Sequence, residues 1–219
     1  MSDRDAASDF LTSHLGFHII DHTERYTLVG AGGRIGKLTL FDAPEATTPS
    51  AGVIERISIR VADSETAVAR LPADADIMSR DGGYLATGPE GLPLALVPGQ
   101  GAFTDYDLEG LVLRSGDPEG SARGFVKMGF SPGENSTTVK AGEYRMRLVR
   151  SASGGGGQEM LYHLGCLVES AEGHRKEAEE QGLEVQDFVE GPNTVAVFVR
   201  GPEGVSVEYV EHKPTFSLT

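Results

Sequence analysis

An imidazole and a carboxylate facing the same way form a ligand pair, and His163 and Glu208 are placed to be one. Glu208 stands out because its counterpart elsewhere in the chain is missing. The run Gly88-Pro-Glu-Gly-Leu-Pro-Leu-Ala-Leu-Val-Pro98 recurs as Gly201-Pro-Glu-Gly-Val-Ser-Val-Glu-Tyr-Val-Glu211, with Ala95 where the second copy has Glu208. Strand alternation puts Val205, Val207 and Tyr209 on one face and Ser206, Glu208 and Val210 on the other. In the strand that opens at His163, Leu164, Cys166 and Val168 share the apolar face and leave His163 opposite. Apolar faces pack beneath helices, so His163 and Glu208 both look into whatever cavity the other face forms. The equivalent face of the first copy carries Arg56, Ser58 and Arg60 with Ala95, and no ligand pair. Two arginines there could hold a carboxylate or phosphate, or pair with the chain's own acids.

The repeat makes this a duplicated chain. The separation that links the two cassettes also links Gly16-Phe17 to Gly129-Phe130. Periodicity gives a recurring order of strand, helix and about three strands. One unit reads as a strand over 56–61, a helix from Asp63 to Leu71, then strands near Ile77, 83–87 and 92–97. Another reads as a strand over 163–168, a helix over 170–181 stopped by Gly182, then strands over 184–189, 194–200 and 205–210. Between them lies a strand over 108–113, a helix opened by Asp117-Pro118 and closed on Gly129, and strands near 137–140 and 144–149. The first unit begins at its helix, 6–14, with strands over 18–21, 26–30 and 36–41. The expected fold is therefore α+β: four βαβββ modules, the first truncated, paired into two cupped mixed-sheet domains over 1–102 and 103–219. Residues 47–52 and 151–158 read as flexible connectors. The four glycines of the latter lack the Lys-Ser/Thr and following helix of a phosphate loop.

With 39% hydrophobic and 24% charged residues the composition is that of an ordinary globular protein. A net charge of −14 argues against nucleic acid and anionic membranes as partners. No signal-like h-region opens the chain and no apolar run is long enough to span a bilayer, which makes the cytoplasm the expectation. The single Cys166 excludes an internal disulfide and a cysteine-based zinc site, and reads as a buried structural thiol.

The paired modules, the helix ends Leu15-Gly-Phe17 and Met128-Gly-Phe130, and the Gly-Pro-Glu-Gly turn before a Glu-bearing last strand resemble the vicinal oxygen chelate superfamily. This superfamily includes glyoxalase I, fosfomycin and bleomycin resistance proteins and extradiol dioxygenases. His163-Leu-Gly-Cys-Leu-Val-Glu-Ser170 is similar to its first-strand pattern, which opens on a metal-binding His. Glu203-Gly-Val-Ser-Val-Glu208 is similar to its closing pattern, which ends in a metal-binding Glu. The resemblance implies a glyoxalase- or dioxygenase-like protein acting on a small oxygen-bearing molecule through a divalent metal (Fe, Mn, Zn or Ni) held by His163 and Glu208. It equally admits a metal-free binding protein of the bleomycin-resistance type. No organic cofactor is implied, and a small-molecule ligand is the expected partner, with a homodimer left open.

Catalytic zinc and non-heme iron ordinarily take three protein ligands. The module-three position that matches His163 is Gly110; Glu109 beside it faces away unless a bulge re-aims it. The competing reading makes His163 an ordinary strand-start residue and pairs Glu208 with Arg145 or Arg147. The remaining histidines (14, 18, 22, 174 and 212) match no motif position. The missing first strand of module one leaves a sheet edge that the tail 213–219, or a partner subunit, is expected to cover.

Overall fold

A computed structural model describes residues 1–31, 36–43, 50–80, 82–99, 106–151 and 159–216. The connector residues 47–49 and 152–158, and the expected boundary at 102/103, lie outside them. Each module starts its helix in the same way. Asp3 accepts the Ala6 N–H to open α1 (Arg4–His14), and Asp63 accepts the Glu65 and Thr66 N–H groups to open α2 (Ser64–Ala69). Asp117 accepts from Gly120 to open α3 (Pro118–Lys127), and Ser170 from Gly173 to open α4 (Ala171–Glu180). These caps satisfy amide donors that a helix start leaves without partners. After three of the helices a glycine at positive φ turns the chain back: Gly16, Gly129 and Gly182.

The chain divides into two compact units. The first comprises Met1–Leu113 with Tyr144–Met146 and residues 159–160. In it, β1 (His18–His22), β2 (Tyr26–Gly30) and β3 (Lys37–Phe41) form an antiparallel sheet in that order. Leu11 and Leu15 of the α1 segment are fully buried, as is Val29 of β2. The second module of this unit contains β4 (Ile54–Val61), β5 (Ile77–Arg80), β6 (Gly83–Thr87) and β7 (Pro93–Pro98), ordered β5-β6-β7-β4. Here the first and last strands, β4 and β7, pair in parallel. Strand β8 (Tyr106–Ser115) then pairs antiparallel with β4.

The second unit holds α3, β9 (Ser131–Pro132), β10 (Thr138–Ala141) and most of β11 (Tyr144–Arg150). Phe125 of α3, Val139 of β10 and Leu148 of β11 are its fully buried side chains there. Its last module carries β12 (Leu164–Leu167), β13 (Val185–Glu190), β14 (Thr194–Arg200) and β15 (Ser206–His212), ordered β12-β15-β14-β13. Again the first and last strands pair in parallel, β12 with β15. The tail is tied to this same module. Lys213 donates its backbone N–H to Asn193 O and its Nζ lies 2.8 Å from Glu190, while Phe216 stacks on His212.

The repeated cassette has a repeated job. In both copies the Pro-Glu-Gly turn places glutamate in the left-handed region, Glu90 at φ 56° and Glu203 at φ 57°, a conformation that costs a non-glycine residue free energy. Both carboxylates then grip the start of the preceding module's helix. Glu90 accepts the Ser2 and Asp3 N–H groups, each at 2.8 Å. Glu203 Oε1 accepts the Ser115 and Ser121 hydroxyls at 2.6 and 2.7 Å. Ser115 is wholly buried and its hydroxyl lies 3.0 Å from that of Ser121, so removing Glu203 leaves this buried pair short of an acceptor.

Glu203→Ala is therefore expected to cost about 2 kcal/mol in urea unfolding and Glu90→Ala about 1 kcal/mol. Burial raises the Glu90 pKa, but the Ser2 and Asp3 amides outweigh it and the carboxyl ends below its ordinary value. A carboxyl with a depressed folded pKa contributes stability above its unfolded pKa and loses it as pH falls through the folded one. The stability gap between wild type and Glu90→Gln should accordingly be full near neutrality and close in acid; a gap that widens in acid would contradict the assignment.

Candidate functional site

The parallel pairing of β12 with β15 aligns Leu164 with Val207 and Gly165 with Glu208. His163, the residue just before β12, is thereby brought beside Glu208, with Nε2 3.1 Å from Oε2. The alternation expected for β15 holds: Val205, Val207 and Tyr209 are buried, whereas Ser206, Glu208 and Val210 are partly exposed. The His163 and Glu208 side chains retain 15% and 21% exposure, enough for a small molecule to reach them from partly desolvated surroundings. Gly165 keeps the approach open, since a Cβ there would meet only Glu208 Oε2, at 3.8 Å.

Two aromatic rings hold the imidazole. Phe198 meets it nearly edge-on, with centroids 5.7 Å apart and planes at 86°, and Tyr162 lies at 5.2 Å. Neither ring was singled out from sequence. Phe198 was recoverable, because it is the register partner of Glu208 on β14 and so shares its face. Cys166 is partly buried, and burial followed by the Glu208 charge pushes its thiol up to about 11, which keeps it protonated and unreactive. On the buried face, Tyr209 donates its hydroxyl to Met128 O at 2.5 Å, and burial pushes this phenol up as well.

Of the two arginines expected to compete for Glu208, Arg145 is held by another carboxylate. Arg145 Nη2 lies 2.7 Å from Glu109 Oε1. Glu109 reaches it because the β4–β8 register slips, pairing Ile59 with Leu108 but Ser58 with Gly110. Glu109 is thus the extra residue of a β-bulge, the one circumstance that re-aims it. Arg60 lies 3.2 Å from Asp107 and 3.6 Å from Glu109, which favours pairing with internal acids for this arginine. Gly110 is where a third ligand was sought, and no side chain fits there: a Cβ would sit 2.0 Å from the Arg145 carbonyl oxygen. Among the described residues no group of three or more His, Cys, Asp or Glu side chains is placed to hold a metal ion.

Three of the other histidines have local partners. His14 Nδ1 lies 2.6 Å from Arg70 O, His22 Nδ1 2.9 Å from Thr27 Oγ1, and His174 3.3 Å from Glu177.

The model of the Glyoxalase/Bleomycin resistance protein/Dioxygenase superfamily matches residues 1–209. The chain belongs to that superfamily. Among solved structures it is similar to glyoxalase I from Zea mays, with 16% identity, a TM-score of 0.75, and 96% of this chain and 89% of that one covered. A V278E mutant of the same enzyme gives 18% identity and a TM-score of 0.76 over 96% and 89%. A putative dioxygenase from Bacillus subtilis gives 17% identity and a TM-score of 0.72 over 96% and 82%. At such identities the likeness establishes the superfamily's fold of α+β modules. No curated protein matches the chain. Among the described residues no helix is long and apolar enough to cross a membrane.

The close approach at Gly110 yields a direct expectation. Gly110→Ala should destabilise the protein by about 3 kcal/mol in denaturant unfolding, because the obstacle is backbone and not a movable side chain. Gly110→His should be worse still and should supply no metal ligand. Wild-type stability in the alanine variant would show that β8 and β11 can separate at this point.

Proposed function

We propose that the chain binds a small oxygen-bearing molecule at the His163–Glu208 pair and acts on it in the manner of the glyoxalase and dioxygenase members of its superfamily. The observation that carries this reading is the 3.1 Å contact of an imidazole nitrogen with a carboxylate oxygen on a partly exposed sheet face. Two donor atoms about 2.1 Å from one ion stand about 3.0 Å apart at a right angle and about 3.4 Å apart in a tetrahedron. The pair therefore fits two adjacent positions on a divalent ion such as Fe, Mn, Zn or Ni. Such an ion would supply Lewis-acid polarisation of the bound oxygens.

The remaining work falls to the protein's own groups. Phe198 and Tyr162 fix the imidazole plane, and the bare Gly165 leaves room beside Glu208. His163 Nε2 can present either a proton to Glu208 or a lone pair to a ligand. A metal ion would take the place of that shared proton, so metal affinity must fall as pH falls.

The second reading is a metal-free protein that sequesters its ligand. The same contact favours it, because His163 Nε2 and Glu208 Oε2 can hydrogen-bond to each other with no ion between them, and because Gly110 cannot contribute a third donor.

Metal analysis of tag-free protein, before and after reconstitution with iron, manganese, zinc or nickel, separates the two. The expected result is about one equivalent of metal, lost on His163→Ala and progressively released as the buffer is acidified. Protein that takes up no metal in any reconstitution sinks the metal reading. A ligand that then stabilises the protein regardless of chelator would establish sequestration.

A further inference from the structure

The first unit contains a polar centre of its own, distinct from the His163–Glu208 pair. Ala95, Ser58 and Gly110 align across β7, β4 and β8, so three strands in a row carry almost no side chain. The next position along brings Arg60 beside Asp107. Arg60 Nη2 donates to Asp107 Oδ2 at 3.2 Å, and the bulged Glu109 sits between Arg60 and Arg145. The Asp107 side chain is nine-tenths buried, and its other oxygen, Oδ1, has no hydrogen-bond partner. An enclosed carboxylate oxygen without a donor is the exception in folded proteins and calls for an occupant.

The neighbouring charges decide what kind. Two guanidinium groups and two carboxylates cancel, so the cluster exerts little net pull on either sign of ion. A carboxylate or phosphate would have to displace Glu109 or Asp107 from arginines they already contact. An ammonium group would meet the Arg60 guanidinium, held 3.2 Å from the same aspartate. Asp107 Oδ1 is an acceptor still to be satisfied, and a neutral O–H donor satisfies it without adding charge. We propose that the β7–β4–β8 face of the first unit is a second small-molecule site, which takes a neutral hydroxyl-bearing compound through an O–H···Oδ1 bond to Asp107.

The test uses the intact chain and trans-cyclohexane-1,2-diol as probe, with its dimethyl ether as a control of the same framework and no O–H donor. Backbone amide resonances of residues 107–111 should shift saturably with the diol and stay put with the ether. Asp107→Asn, which keeps the shape but sets an amide against Arg60 or the ligand, should weaken the diol at least tenfold. Glu208→Gln, in the other unit, should leave its affinity unchanged. The proposal is overturned if the diol shifts nothing near Asp107, if the ether acts equally, or if Glu208→Gln abolishes binding, which would move the site to the His163 pair. Should Asp107→Asn fail to fold, the contrast between diol and ether on the wild-type protein still decides.

Discussion

Parallel pairing of a module's first strand with its last is the constraint on which the rest of this structure depends. Two parallel neighbours cannot be joined by a hairpin, so the chain must cross over, and the helix that follows each first strand makes the crossing. That helix covers one face of the sheet and leaves the other free to carry polar groups. In the last module β12 lies directly against β15, so residues at opposite ends of the module become neighbours. His163 and Glu208 meet for this reason alone. The same geometry sets Ser58 of β4 beside Ala95 of β7 in the first unit, where the side chains are too small to meet.

The duplicated Gly-Pro-Glu-Gly turn does a different task from the strand it precedes. Its glutamate accepts an unfavourable left-handed backbone and recovers the cost through two hydrogen bonds to the start of another module's helix. Because Glu90 and Glu203 do this in both units, the turn is retained in both. The strand beyond is released from the duty, and there the copies diverge to Ala95 and Glu208. Holding the modules and presenting donors are thus assigned to separate residues within one short segment.

Much of this was legible in the sequence because it obeys local rules. The capping residues Asp63, Asp117 and Ser170 announced their helices, strands 26–30, 83–87 and 194–200 matched residue for residue, and the period of two on β15 put Glu208 on the face it occupies. His163 and Glu208 could be paired because both facing and strand order follow from the module. What was not legible depends on contacts across strands. The bulge that re-aims Glu109 is set by the β4–β8 register, and the requirement for Gly110 comes from the Arg145 carbonyl pressing against it. Neither leaves a local trace. The glutamates at positive φ were hidden for a similar reason, since residue type there argues for glycine and only the distant amides and hydroxyls explain the choice.

The two polar centres differ in the kind of cation they offer to a carboxylate. In the first unit Asp107 and Glu109 contact guanidinium groups. Guanidinium stays protonated throughout the physiological range and cannot lend a lone pair, so such a cluster can bind only through what it leaves unsatisfied. In the second unit Glu208 meets an imidazole. A neutral imidazole carries a proton on one ring nitrogen and a lone pair on the other, so the nitrogen that donates to Glu208 in one tautomer can coordinate in the other. The first centre is therefore suited to recognising a neutral hydroxyl and no more. The second has the one chemical freedom that metal binding or proton transfer demands, and two strand positions supply it: His163 and Glu208 stand where the equivalent face of the first copy carries arginines and Ala95.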